Sequence, residues 1–142
     1  MGIHGGEWRV HASAIDDVAL ITESIKWLSG EEDSVSLKKE KSAHGAQMHS
    51  IVAKMNSKRG KDSLSRVSKD SLFHILDSDI KKLIDDDKVL HIRIDLGRLV
   101  GGDAVIVEDS KNPVAKGRFK LEVYPGQDVS SVATKLIEEI LR

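Results

Sequence analysis

Residues 89–96 read Val-Leu-His-Ile-Arg-Ile-Asp-Leu. Leu90, Ile92, Ile94 and Leu96 fall on one side of an extended chain, with Val89, His91, Arg93 and Asp95 on the other. This alternation predicts a strand with one dry and one wet face, and hence a sheet covered on one side only. Downstream, residues 104–108 and 118–124 also read as strands, separated by the turn signal Asp109-Ser110-Lys111-Asn112-Pro113. Phe119, Leu121 and Val123 alternate with Arg118, Lys120, Glu122 and Tyr124. Asp128 caps a final helix with the stripe Val129, Val132, Ala133, Leu136, Ile137 and Ile140.

Upstream, residues 8–15 predict an opening strand with Trp8, Val10, Ala12 and Ala14 on one face. Asp16 is expected to cap a helix whose first turn holds Asp17 and which runs to about Leu28, with Gly30 as its stop. Residues 34–41 and 48–55 predict two strands around a turn at 43–46. The facing of the second is ambiguous: Met48 and Val52 lie on one side, Ile51 and Met55 on the other. Residues 56–60 read as a basic loop, and Asp62 or Ser63 opens a helical stretch through Leu64, Val67, Ser71, Leu72, Ile75 and Leu76. A short amphipathic helix is expected over 79–84, ended by a turn at Asp85-Asp86-Asp87. The order β-α-β-β-α-α-β-β-β-α does not alternate as a doubly wound parallel sheet does. It predicts an α+β fold, a mostly antiparallel sheet with helices on one face. Residues 1–6, rich in glycine, read as a flexible leader, and residues 7–142 as a single domain.

Composition narrows the function classes. The chain has 142 residues, 39 % hydrophobic, with a formal net charge of −1, which suits one packed core. Cysteine is absent, so there is no disulfide scaffold, thiolate nucleophile or cysteine-held metal. No apolar run approaches the roughly 20 residues of a membrane span, and a cytoplasmic protein without membrane association is expected. None of the six histidines pair at the spacing of a helical zinc site. No nucleophile–base motif is present, and residues 97–102, Gly-Arg-Leu-Val-Gly-Gly, match neither phosphate-loop pattern. The expectation is a nonenzymatic protein with no catalytic residue, metal or cofactor.

Charge is unevenly distributed. Residues 38–69 hold nine cations against Glu40 and Asp62, a net of +7, and the remainder nets −8. The cations are Lys38, Lys39, Lys41, Lys54, Lys58, Arg59, Lys61, Arg66 and Lys69. Such a segment can hold polyanions despite a neutral total, because phosphate contacts act over about one Debye length, ~10 Å. It contains no Phe, Tyr or Trp, so RNA held there is read by backbone and shape, not by stacked bases.

The chain resembles an archaeal family described as RNA-binding and exosome-associated, with a double-stranded-RNA-binding-like fold that is likened to the ribosomal protein that binds five-S rRNA. The resemblance spans about residues 7–142. It rests on Trp8-Arg9-Val10-His11-Ala12-Ser13-Ala14, on Lys38-Lys39-Glu40-Lys41-Ser42-Ala43-His44-Gly45, on the Arg93 strand at 90–96, and on Phe119-Lys120-Leu121-Glu122-Val123-Tyr124. It adds His44, Gly45 and Arg93 to the nine cations as candidate RNA contacts. The function it implies is binding of structured or double-stranded RNA through its backbone, in RNA processing or ribosome-related work, within a protein complex. The alternative is a protein-interaction or assembly subunit, including a homo-oligomer, that uses the same charged segment without direct RNA binding.

Overall fold

The computed structural model describes residues 2–13, 17–30, 35–41, 47–107 and 113–142. The elements are β1 (Ile3–Ser13), α1 (Val18–Ser29), β2 (Val35–Lys41), β3 (Gln47–Asn56), α2 (Ser57–Ser65), α3 (Lys69–Asp77), a 3₁₀ helix (Ile80–Leu83), β4 (Val89–Asp95), α4 (Leu96–Val100), β5 (Val114–Leu121) and α5 (Val129–Leu141). The strands form one sheet in the order β2-β3-β1-β5-β4, every neighbouring pair antiparallel. The α+β expectation holds.

Local signals account for several elements. Asp17, expected in the first turn, is instead the cap of α1, its side chain accepting from the Leu20 N–H, and Gly30 ends that helix in the left-handed region at φ 77°. Asp16 lies outside the described residues. Ile21, Ile25 and Leu28 of α1 are buried, as their spacing predicts. Asp128 caps α5, and Ala133, Leu136 and Ile137 are its buried residues. In β4 Leu90, Ile92 and Ile94 are buried while Arg93 is exposed.

Other elements follow from packing. β1 begins at Ile3, which is fully buried, so residues 3–6 are strand and not a flexible leader. A shift in register between Ile3 and Gly5 puts Ile3 on the same side as Trp8 and Val10. The glycines are there for close approach. A Cβ on Gly6 would lie 2.6 Å from a Phe119 ring carbon, and one on Gly117 would lie 2.6 Å from a Trp8 ring carbon. Gly6 pairs with Phe119 and Trp8 with Gly117, so each ring lies across the glycine opposite it. The rings meet edge to face, with centroids 5.4 Å apart.

The basic loop expected over 56–60 is helical. Asn56 caps α2 by accepting from the Arg59 N–H, and Gly60 sits where a Cβ would come within 2.8 Å of Ile3. Close packing on β1 outweighs the low helix propensity of glycine. The single helical stretch expected from Asp62 or Ser63 is broken at 66–68. There Val67 bridges Ala104, and the Ser68 N–H donates to the Ala104 carbonyl at 2.8 Å. Of the strand expected over 104–108, the described residues 104–107 form single bridges, Ala104 to Val67 and Ile106 to Ile94 of β4, with Val107 N–H donating to the Arg93 carbonyl and Asp95 N–H to that of Val105, and Glu108 lies outside the described residues. β5 starts at Val114, earlier than the strand read over 118–124, because Ala115 and Gly117 pair with Ile94 and Ile92. The ambiguous β3 turns Ile51, Ala53 and Met55 into the core. No helix among the described residues is long and apolar enough to cross a membrane.

Candidate nucleic-acid interface

The helices cover the face bearing Trp8, Ile51, Ile92 and Phe119, so alternate residues of the same strands form the opposite face. Register puts Lys54, Glu7, Arg118 and His91 in one row across β3, β1, β5 and β4. The next row is Val52, Arg9, Lys116 and Arg93. Lys120 lies opposite Gly5 on one side and Val89 on the other. Lys54, Arg9, Lys116, Arg118, Lys120 and Arg93 are all exposed. Glu7 is the carboxylate among them, with its side chain 18 % exposed and lying 3.8 Å from both Arg9 and Arg118. Lys120 also donates to the Asp87 carbonyl.

Arg9, Lys116 and Arg93 occupy three adjacent strands. At about 4.8 Å per strand their Cα atoms span ~10 Å, one Debye length at 0.1 M salt, so their potentials add. No described Phe, Tyr or Trp lies on this face: Trp8 and Phe119 are in the core, Trp27 and Phe73 are on helices, and Tyr124 follows β5. The face therefore offers charge to a phosphate backbone and no Phe, Tyr or Trp ring among its described residues on which to stack a base.

The structure divides the residues expected to bind RNA. Lys54 and Arg93 are on the open sheet face. Lys58, Arg59 and Lys61 are on α2, which packs on the covered side through Ser63 and Leu64. Arg59 Nη1 donates to the Gly30 carbonyl at 3.3 Å, and the Arg66 guanidinium lies against Gly30 as well. Both cations thus meet the negative end of α1. Lys61 pairs with Glu139 of α5 at 3.4 Å. Lys58 and Lys69 are exposed. His44 and Gly45 lie outside the described residues, as do the side chains of Lys38, Lys39 and Lys41. The backbone of β2 pairs Lys38 with Ser50, Lys39 with His49 and Lys41 with Gln47.

Four cations of the sheet face, Arg9, Lys116, Arg118 and Lys120, were not marked by sequence as candidate contacts. A signal for them exists: they are outward positions of alternating strands. What the sequence lacks is the adjacency of β1 and β5, whose paired residues Arg9 and Lys116 are far apart along the chain.

At the β4 edge His91 Nε2 lies 2.7 Å from Asp85 Oδ2, and Asp85 Oδ1 accepts from the N–H groups of Val89 and Asp87. The His91 hydrogen bond, then that of Val89, hold the Asp85 carboxyl below its ordinary value. A depressed carboxyl stabilises the fold above its unfolded-state value, and this contribution disappears as pH falls through the folded-state value. Asp85→Asn is therefore expected to lower the urea midpoint at about pH 7, with the deficit shrinking at about pH 3. An equal deficit at both pH values would rule out the ionised Asp85 carboxylate as its source. Among the described residues no cluster of His, Asp or Glu is arranged to hold a metal ion.

Comparison with known proteins bears on the fold and the family. Among solved structures, a DUF54 protein from Methanothermobacter thermautotrophicus superposes with a TM-score of 0.72 at 15 % identity, covering all of both chains. A DUF54 protein from Archaeglobus fulgidus gives 0.74 at 22 % identity, over 97 % of this chain and 99 % of that one. A third, from Sulfolobus solfataricus, gives 0.71 at 17 % identity, over 95 % and 98 %. At these identities the likeness is one of fold. No curated protein matches the chain. A family model described as RNA binding matches residues 7–121, from within β1 to the end of β5, and by that match the chain belongs to the RNA-binding family.

Proposed function

We propose that the protein is a nonenzymatic RNA-binding module that grips the backbone of structured or double-stranded RNA on its open sheet face. The observation that carries this reading is the row Arg9, Lys116 and Arg93 on three adjacent strands, with Lys54, Arg118 and Lys120 around it. Family membership supports RNA as the ligand. The absence of an aromatic among the described residues of the face favours backbone over base recognition. Arg59, Arg66 and Lys61 serve the fold, whereas Lys58 is an exposed cation of the helical layer and stays in the proposal as a flanking contact. Lys38, Lys39 and Lys41 of β2, His44 and Gly45 of the sequence between β2 and β3, and Lys69 stay in the proposal as flanking contacts. Work in RNA processing or on ribosomal RNA, in the cytoplasm and within a larger complex, suits such a module.

The test is a fluorescence-anisotropy titration with an RNA hairpin and a single strand at about 50 and 200 mM salt. The hairpin is expected to bind more tightly, with affinity falling by about tenfold or more over that range. Preference for the single strand, or affinity indifferent to salt, would overturn the reading.

A further inference from the structure

A groove of about 980 Å³ runs between α3, the 3₁₀ helix and the outer edge of β4. This is at the upper end of the roughly 300–1,000 Å³ found for small-molecule sites. The buried Ile75 and Ile92, with the half-buried Leu83 and Ile106, give it an apolar lining. Arg93 and His91 line it too, and both belong to the cationic rows of the sheet face. The groove is thus continuous with the proposed backbone interface at the sheet edge.

Charge decides which part of a nucleotide fits. Lys82 and Arg93 are exposed cations of the lining, but Asp70, Asp79 and Asp85 line it as well. A phosphate seated wholly within would face those carboxylates. A nucleobase would not: its plane suits the apolar lining, and the N–H groups on its edge can donate to carboxylates. The His91 ring, held by Asp85 at 2.7 Å, stands where the face passes into the groove and offers a fixed plane for stacking.

We infer that this groove receives one unpaired base of an RNA whose backbone lies across the open sheet face, with the flanking phosphate at Lys82 and Arg93. The inference rests on the proposed RNA-binding reading, and it makes the ligand a duplex interrupted by a bulged nucleotide.

The test compares two RNA hairpins of one stem, the first fully paired and the second with a single bulged 2-aminopurine. The bulged hairpin is expected to bind roughly tenfold more tightly, the range that one stacked base supplies. Its 2-aminopurine emission is expected to change on binding. His91→Ala combined with Lys82→Ala, which removes the stacking plane and a phosphate contact, is expected to bring the affinity ratio toward one. Equal affinity of the wild type for both hairpins overturns the groove inference and leaves the backbone reading standing. A ratio unchanged in the double variant also overturns it, because the base is then held elsewhere. Binding of neither hairpin overturns both.

Discussion

Trp8→Ala is expected to lower the free energy of unfolding by about 3–5 kcal/mol, read from urea denaturation. Against a domain total of about 5–15 kcal/mol this is a large share. Trp8 is fully buried in the central strand of the sheet. Its ring lies across Gly117 and meets Phe119 edge to face, so alanine leaves a cavity bounded by groups that cannot all move in. The indole also ties three elements together. Its Nε1–H donates to Ser63 Oγ at 2.7 Å, and the Ser63 hydroxyl donates to the Leu28 carbonyl at 2.5 Å. Ser63 is completely buried. Trp8→Phe keeps an aromatic filling and lets Ser63 keep its bond to Leu28, so its expected cost is smaller than that of alanine. A loss below about 1 kcal/mol for Trp8→Ala would show that the site collapses freely and that the ring does not anchor the core.

The second large effect is on binding. Arg9→Ala, Lys116→Ala and Arg93→Ala together are expected to lower the salt slope of RNA binding by about 2–3, at 0.7–0.9 per phosphate contact. At about 0.1 M salt that corresponds to a loss on the order of a hundredfold or more. The three side chains are exposed, so the variant is expected to keep the wild-type urea midpoint. The comparison variant carries Lys58→Ala and Lys69→Ala, exposed cations of α2 and α3. It removes charge from the helical layer and is expected to change the slope less. A greater loss in this variant would move the interface to the helical side, where the sequence concentrates its charge. Retention of the full slope by the triple variant would remove the sheet face as the site.

How much was legible beforehand depended on how local each signal is. The β4 alternation of Leu90, Ile92 and Ile94, the Gly30 stop of α1, and the Asp128 cap of α5 each sit within a few residues of the structure they specify. A window of sequence contains the whole cause, and these elements, together with the α+β class and the one-sided sheet, follow from sequence by itself. The excess of cations over 38–69 was equally plain, but their roles were not. Arg59 and Arg66 face Gly30, and Lys61 faces Glu139, across distances in sequence that composition does not register.

The tertiary structure decided what depends on neighbours from elsewhere in the chain. Ile3 became the start of a central strand because it pairs with Leu121 of β5 and is fully buried, although the glycines beside it look like a leader. Gly60 became helical because α2 packs closely on β1. Residues 66–68 left the helical path to pair with Ala104. The cationic face was assembled in the same way: Arg9, Lys116 and Arg93 form a row only when β1, β5 and β4 lie side by side. Periodicity tells which residues of a strand point outward, since backbone geometry alone sets it. Which strand lies next to which is set by the packing of the entire core, and that is why the elements could be read from the sequence while the face they build could not.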